Sequence, residues 1–231
     1  MTVSHGKSYD VLMENNFKTN LYLNIYKDQM SIFFPILQQG FMVRVHGGFS
    51  VKKILCKDLN IEPNLIEKRV KTIFLNQKPV DDIDRTIIKK NATLALSSAL
   101  PGLAGATMRM NGVLSSFRKN ISHDIENIEN TPLNNEGNEG HDDHEECFIT
   151  LKLFNLMIKD LGPYFLSRGI WLKSNILRNL FKNRLADLRK GCQFAKLDGK
   201  KIDLDKLFKI QWDQKESILL LKIDFSVKSN M

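Results

Sequence analysis

Three residues in the middle of the chain have side chains that commonly bind metal ions. His141, His144 and Cys147 recur at every third position, and two imidazoles and a thiolate at this spacing could meet one metal ion if the segment were helical. The residues around them are acidic and polar, and tracts of this composition are usually solvated linkers. The sequence therefore favours a linker over a metal site, and we expect no bound metal or cofactor.

A second cluster that could do chemistry is Asp81, Asp82 and Asp84, because paired carboxylates can serve acid–base catalysis. No His or Lys accompanies them at an informative spacing, so we expect a capping role. The chain also lacks the short motifs of phosphate-binding loops, dinucleotide folds, zinc proteases, α/β-hydrolases and CxxC redox sites. A binding protein is favoured over an enzyme, although catalysis stays open.

Basic side chains flank the apolar face of a helix predicted from Trp171 to Lys190. The apolar face consists of Leu177, Phe181, Leu185 and Leu188. The flanking cations are Arg178, Lys182 and Arg189 on one side and Lys173 and Arg184 on the other. Such a helix could place its cations on phosphates, with Trp171 as a stacking surface. The alternative is a helix docked on its own sheet, whose basic side chains reach into solvent. A smaller basic cluster, Arg109, Arg118 and Lys119, has the same two interpretations.

The charge is distributed unevenly along the 231 residues, whose net charge is +8. Residues 123–147 contain nine acidic residues and no Lys or Arg, and the remainder carries 34 basic against 17 acidic residues. A body this basic should attract polyanions such as nucleic acid, an acidic lipid surface or an acidic protein. A lysine-rich solvated surface is the alternative.

The acidic tract, residues 121–147, has few large apolar residues and is predicted to be a disordered linker. It separates a predicted domain at 31–120 from a second at 148–231, while residues 1–30 form an extension of uncertain structure. The three cysteines are odd in number and far apart, which favours a reducing compartment. The polar N-terminus lacks the layout of a signal peptide, and no uncharged run is long enough to span a bilayer. We therefore expect a cytoplasmic protein.

The first domain shows the pattern of a small curled sheet of α+β class. Apolar runs at 31–37 and 41–46 suit a hairpin, and Ser50 should cap a helix that buries Val51, Ile54, Leu55 and Leu59. Alternating strands are expected at 72–75 and 93–97, with a turn at Asn76 and Gln77.

The second domain repeats this plan. A strand is predicted at 148–153 and another at 217–223, which would correspond to the strand at 93–97. Gly162-Pro163 and Gly169 should interrupt the chain before the helix. AKLDGKKIDLD, residues 195–205, aligns with IFLNQKPVDDID, residues 73–84, so that Gly199 matches Gln77. Two diverged copies of one unit would explain the match, as would the similarity of all hairpins with such turns.

The segment KTIFLNQKPV together with IKKNATLALSSALPGLAG resembles the end of the small bacterial sulfur carriers of molybdopterin and thiamine synthesis, and the resemblance covers residues 31–105. It implies a β-grasp (ubiquitin-like) fold and a carrier role for Gly102 and Gly105, although the two glycines are not adjacent and the chain continues beyond them. LADLRKGCQFAKLDGKKI, near residues 185–202, resembles the S4-type RNA-binding module. We therefore expect a non-catalytic protein-interaction or carrier-like module whose partner is an unidentified protein, or alternatively an RNA-binding protein that uses the basic helix at 171–190.

Overall fold

A computed structural model describes residues 17–98, 102–110, 112–113, 145–212 and 217–228. In this part of the chain the fold is mixed α+β, as the sequence predicted. It divides into two compact units, in which unit 1 combines Met1–Met42 with Ile158–Met231 and unit 2 is Val43–Met157. None of the helices described has the length and apolar composition that a bilayer crossing requires.

The described residues form ten strands and seven α-helices. The strands are β1 (Phe17–Tyr26), β2 (Phe41–His46), β3 (Thr72–Leu75), β4 (Lys78–Pro79), β5 (Thr93–Ser97), β6 (Glu146–Phe154), β7 (Ile170–Lys173), β8 (Cys192–Leu197), β9 (Lys200–Ile202) and β10 (Ile218–Ser226). The helices are α1 (Phe34–Gln39), α2 (Val51–Lys53, continued by the π-helical segment Ile54–Asp58), α3 (Pro63–Arg69), α4 (Gly102–Met108), α5 (Leu156–Arg168), α6 (Ser174–Gly191) and α7 (Leu204–Lys209). A 3₁₀ helix, Lys27–Phe33, precedes α1.

Unit 2 is a mixed sheet with a helix against it. Its strands follow the order β4-β3-β5-β6-β2, with β5 and β6 parallel and β3 antiparallel to both β4 and β5. The predicted cap is confirmed, because the Ser50 side chain accepts a hydrogen bond from the Lys53 backbone N–H at 3.3 Å. Helix α2 then buries Val51, Ile54 and Leu55 completely. The predicted strands at 72–75 and 93–97 are confirmed as β3 and β5.

Unit 1 has the strand order β7-β10-β1-β8-β9. Strands β1 and β10 are parallel, with Leu21 beside Leu221, while β8 runs antiparallel to β1 and β7 antiparallel to β10. Alternate residues of β1, namely Leu21, Leu23 and Ile25, are buried at 0–1% exposure and form one side of the core. The 3₁₀ helix and the helices of this unit contribute further buried residues, such as Ile32, Phe165 and Leu207.

The two units share one arrangement of strands. In each, a parallel pair of strands lies at the centre: β5 and β6 in unit 2, β10 and β1 in unit 1. In unit 2, helix α2 follows the outer strand β2 and precedes the β3–β4 hairpin on the other side of the pair. In unit 1, helix α6 follows β7 and precedes the β8–β9 hairpin in the same way. The hairpin turns also match, because both have two central residues with positive φ: Asn76 (50°) and Gln77 (70°) in unit 2, Asp198 (50°) and Gly199 (79°) in unit 1. Such pairs are typical of type I′ turns, which suit the twist of a hairpin.

The first residue of each turn also bonds to the neighbouring strand in the same way. Asn76 Oδ1 accepts from the Thr93 N–H at 2.8 Å, and the Asn76 N–H donates to the Thr93 carbonyl at 2.8 Å. Asp198 does the same with Asn20, at 2.8 and 2.9 Å. The strand that corresponds to β5 is therefore β1, whereas the sequence alignment had assigned this place to the strand at 217–223. Strand β10 was predicted in about the right place, but it pairs with β1 and β7.

The hairpin predicted at 31–46 is wrong in its first arm, which is helical. Ile32, Phe33, Ile36 and Leu37 are all buried, and this i, i+1, i+4, i+5 spacing follows the helical period. Pro35 lies in the first turn of α1, where its fixed φ and missing N–H are tolerated. Only the second arm, β2, is a strand.

Two further predictions near residue 170 differ from the structure. Pro163 does not interrupt the chain but lies inside α5, which ends before Gly169, a residue with φ +104°. Trp171 and Lys173 do not belong to the basic helix, because they lie in β7 and the helix starts at Ser174. The alternation Ile-Trp-Leu-Lys, with Ile170 and Leu172 buried, is the period of a strand.

The compact units are not consecutive along the chain. Strand β1, from the segment that the sequence could not place, belongs to unit 1 together with the C-terminal part, and β6 belongs to unit 2. Strand β6 begins at Glu146, within the predicted linker, and Cys147 is buried there. The rest of the predicted linker, through residue 144, lies outside the described residues.

Candidate nucleic-acid interface

Helix α6 is held in place by its apolar face. Leu177, Phe181 and Leu188 are buried, as the helical spacing predicts. Leu185 is 37% exposed instead, because Arg184 adopts non-helical angles (φ −127°, ψ 25°) and kinks the helix beside it. The Ser174 N–H donates to the Ser217 carbonyl at 2.8 Å, which ties the first turn to the chain just before β10.

The predicted cations of α6 have two kinds of environment. Arg178 and Lys182 are exposed and form no ion pair with a described residue. Arg189 is engaged, since its Nη1 lies 2.5 Å from Asp205 Oδ1 and its guanidinium lies over the Phe208 ring at 5.7 Å. Arg184 Nε lies 2.8 Å from Asp187 Oδ2. Only the first pair therefore projects from the helix into solvent without an internal role.

More cations of unit 1 come from elements that follow α6 in the chain. Residues 170–212 contain eleven Lys and Arg against four Asp. The exposed lysines of β8, β9 and α7 are Lys196, Lys200, Lys201, Lys206 and Lys209. The lysines around the sequence KLDGKK were visible in the sequence, but this segment was interpreted only as a hairpin turn and not as part of a basic surface. Lys196, Lys200 and Lys201 lie in the segment near residues 185–202 that resembles the S4 module, and this segment folds as the end of α6 followed by the β8–β9 hairpin.

All four carboxylates in this stretch are already engaged by neighbouring groups. Asp187 and Asp205 each pair with an arginine of α6. Asp198 accepts the Asn20 N–H in the hairpin turn. Asp203 Oδ1 caps α7 by accepting the N–H groups of residues 205 and 206 at 3.0 and 3.1 Å. The field of this surface is therefore positive, and anions are the ligands it attracts.

The second predicted basic cluster is only partly described. Arg109 follows α4, while Arg118 and Lys119 lie outside the described residues. Arg109 lines a cavity of about 650 Å³ in unit 2, together with Lys52, Lys71 and a set of carboxylates from Glu67, Asp81, Asp82 and Asp84. The hydrogen bond from Lys52 to Asp84, 2.9 Å long, raises the pKa of Lys52. The cavity carries both signs of charge, so it lacks the positive field of unit 1.

Among the aspartates of this cavity, Asp82 binds the backbone of a turn, and the structure describes no helix at 81–86 for the predicted cap. Asp82 Oδ1 accepts the backbone N–H groups of Asp84 and Arg85, both at 3.0 Å. Asp203 makes the same pair of bonds in unit 1. The corresponding residue in the sequence alignment was Asp81, so the structural match is displaced by one position.

The other predicted site residues are not brought together. Gly102 and Gly105 lie in helix α4, Gly102 with φ +72° at its start. His141 and His144 lie outside the described residues, and Cys147 is buried in β6. Within the described part of the chain, no group of three or more His, Cys, Asp or Glu side chains could hold a metal ion.

One polar pair in unit 2 was missed from the sequence. The Asp58 carboxylate, only 7% exposed, accepts the His46 backbone N–H at 2.8 Å and lies 3.0 Å from His46 Nδ1. His46 ends β2 and Asp58 ends the π-helical segment after α2, twelve residues apart. Their contact depends on how the chain turns back between them, and no local pattern predicts it.

Comparison with known proteins identifies no relative: no protein-family model, no curated protein and no solved structure matches the chain.

Proposed function

We propose that this chain is a nucleic-acid-binding protein and that unit 1 is its binding part. The observation that carries the proposal is the surplus of cations in residues 170–212, where every carboxylate is already engaged by a neighbouring group. Release of counterions from a phosphate backbone makes such surfaces bind nucleic acid with strong salt dependence. A surface of Lys balanced by equally free Asp and Glu would have no such preference.

Arg178 and Lys182 are the residues that we assign to phosphate contact on α6. They are one helical turn apart, so they lie on one face of the helix. Leu177 and Phe181, their neighbours in sequence, are buried and fix the orientation of that face. These contacts would position the protein on the nucleic acid without recognising its base sequence, because phosphate contacts set the register while base contacts determine sequence specificity. Arg189 is not assigned to this role because its guanidinium is held by Asp205.

The test is binding of a 20-nucleotide RNA, a DNA of the same sequence and the DNA duplex, measured by fluorescence anisotropy at several salt concentrations. The variant Arg178→Glu with Lys182→Glu should weaken all three about tenfold and reduce the slope of log K against log[salt] by about 0.7 to 0.9 for each phosphate that is no longer neutralised. The matched control reverses Lys57 and Lys78, two exposed lysines of unit 2, so that the net charge changes equally. Absence of binding at low salt, or equal weakening in variant and control, would contradict the proposal.

We also infer that the two units are diverged copies of a rearranged β-grasp. In a β-grasp, the first and last strands lie parallel at the centre of the sheet, and a helix connects an outer strand to the strands beyond this pair. The strand orders of both units and their matching turns support the inference. Both differ from the usual chain order, since the central pair joins β5 to the later β6 in unit 2 and β1 to β10 in unit 1.

The same strand arrangement supports a second candidate function, the protein-interaction module that the sequence predicted, since many β-grasp domains act as binding modules without chemistry of their own. Affinity capture from a native lysate with nuclease treatment separates the two candidates. A stoichiometric protein partner that survives nuclease would favour the second, and RNA recovered without such a partner would favour the first. A carrier role at Gly105 would require cleavage of the chain behind helix α4, and a single intact mass would contradict it.

A further inference from the structure

The sheet of unit 1 has a second face that the basic helix does not reach. Because side chains alternate along a strand, the residues between buried Leu21, Leu23 and Ile25 point to the opposite side. These are Asn20, Tyr22, Asn24 and Tyr26 on β1, and all are half-exposed or exposed. Since Leu21, Leu23 and Ile25 are at most 1% exposed and none of these four is buried, the face of Tyr22 is the outer one.

Strand pairing brings residues from three distant segments together on this outer face. Tyr22 lies beside Lys196 of β8 and beside Lys222 of β10. Phe194 lies beside Asn24, and its ring centroid is 5.8 Å from that of Tyr22. Lys201 of β9 is paired with Lys196 and extends the row. The register thus creates a pair of aromatic rings at the centre of the face with lysines on both sides.

The charge of this face is positive. Lys196, Lys201 and Lys222 are exposed, whereas Asp224 is the one carboxylate that the described strands place here. Its Oδ2 accepts the Tyr22 hydroxyl at 2.9 Å, and this bond fixes the tilt of the Tyr22 ring. The Lys196 ammonium lies 5.6 Å from the Tyr22 ring centre and 6.0 Å from that of Phe194. A cation therefore stands directly beside both aromatic surfaces.

Unpaired bases joined by phosphates match both kinds of group on this face. Bases stack on aromatic side chains regardless of sequence, while lysines beside the rings contact the backbone that joins the bases. Sheet faces with central aromatics bind RNA in this way. In unit 2, by contrast, the residues at the positions that correspond to Phe194 and Tyr22 are Thr72 and Ala95, which are 1% and 8% exposed, so that face offers no comparable surface.

We propose that the outer face of the unit 1 sheet binds single-stranded nucleic acid, with Tyr22 and Phe194 stacking on bases and Lys196 and Lys222 contacting phosphates. The proposal rests on the proposed function for its class of partner, and it adds a second site on the side of the sheet away from α6. Duplexes have no unpaired bases to stack, so this site discriminates single strands from duplexes, whereas the contacts of Arg178 and Lys182 do not.

The experiment measures binding of a 12-nucleotide oligo-uridine, an oligo-thymidine of equal length, a 12-base-pair duplex and heparin by anisotropy or competition. Phe194→Leu keeps an apolar side chain but removes the aromatic face, and it should weaken both single strands about tenfold, the effect of removing one stacked base, while leaving the duplex and heparin unchanged. Lys222→Glu, at an exposed position, should weaken the single strands more than the duplex. Photo-cross-linking of a 4-thiouridine oligonucleotide should label peptides from β1 and β8.

The outcomes separate this proposal from the proposed function. If none of the nucleic acids binds, both fail. If single strands and duplex bind equally, and both variants bind like the wild type, the chain is a nucleic-acid-binding protein without this site and the inference is overturned. Loss of heparin binding by Phe194→Leu would also overturn it, because heparin has no bases to stack. Selective loss of the single strands together with β1 and β8 cross-links supports it, and a difference between uridine and thymidine arms identifies the favoured strand type.

Discussion

The matched hairpin turns predict that exchanging one residue between the units changes their stabilities in opposite directions. Gln77 and Gly199 occupy equivalent turn positions with φ of 70° and 79°. Gly199 suits this angle, while a side chain there costs about 1–2 kcal/mol. Glycine loses about 0.5–1 kcal/mol through its greater freedom in the unfolded chain. The difference leaves about 0.5–1 kcal/mol in favour of glycine.

Gln77→Gly should therefore raise the free energy of unfolding of unit 2 by about 0.5–1 kcal/mol, and Gly199→Gln should lower that of unit 1 equally. Steric contact does not complicate the second change, because no atom lies within 4 Å of a Cβ built on Gly199. For a chain of this size such changes shift the melting temperature by about 1–4 °C. The preceding residues, Asn76 and Asp198, both have φ of 50° and remain in place as an internal control.

The assay follows each unit separately. Both tryptophans, Trp171 and Trp212, belong to unit 1, so urea unfolding monitored by tryptophan fluorescence reports the Gly199→Gln variant. Hydrogen exchange of peptides from β3 and β5 reports the Gln77→Gly variant. In the double variant, the two changes in the free energy of unfolding should cancel in the sum over both units, while each unit keeps the change of its own single variant. A destabilising Gln77→Gly, or a neutral Gly199→Gln, would show that positive φ does not decide the residue at this turn.

Three further predictions concern packing, reactivity and a buried hydrogen bond. Leu177→Ala should lower the free energy of unfolding by about 2–5 kcal/mol and Leu185→Ala by less than about 0.5 kcal/mol, because only Leu177 is fully buried. If thermal unfolding showed equal destabilisation by the two variants, α6 would not be kinked as described. Burial raises the pKa of the Cys192 thiol to about 11, so iodoacetamide at pH 8 should label the half-exposed Cys56 before Cys192. The same shift predicts that the free energy of unfolding is highest below about pH 9, where the Cys192 thiol is neutral, and falls as the pH rises through 11. Asp58→Ala should cost about 2 kcal/mol, because two nitrogens at 2.8 and 3.0 Å lose their acceptor, and a melting temperature within error of the wild type would contradict this.

Local patterns in the sequence predicted the elements that depend on neighbouring residues. The Ser50 cap, the strands at 72–75 and 93–97 and the turns at Asn76 and Asp198 follow from cap chemistry, alternation and turn residues. The pattern was misinterpreted where two periods compete. At 31–37 a dense apolar run suits a buried strand as well as a helix, and only burial on an i, i+4 face decides between them.

Pairing across the sheet could not be predicted, because nothing local specifies it. The parallel pair of β1 and β10 joins residues about 200 positions apart, such as Tyr22 and Lys222. The local sequence of β1 does not indicate which strand pairs with it. The cations of α6 were found because helical spacing alone places Arg178 beside Lys182. The outer face of the sheet was missed because Tyr22, Phe194 and Lys222 meet only after three segments pair.

The two surfaces of unit 1 follow from one structural fact, that a single face of its sheet is buried. The covered face must be apolar, and the helix that covers it turns its charged side to solvent, which places Arg178 and Lys182 there. The uncovered face needs side chains that water tolerates, and Asn20 and Asn24 meet this need. Tyr22 and Phe194 do not, because an aromatic ring left partly in water forgoes some of the free energy of burial. The proposed single-stranded ligand would cover these rings and the lysine near both of them, because bases joined by phosphates match both kinds of residue.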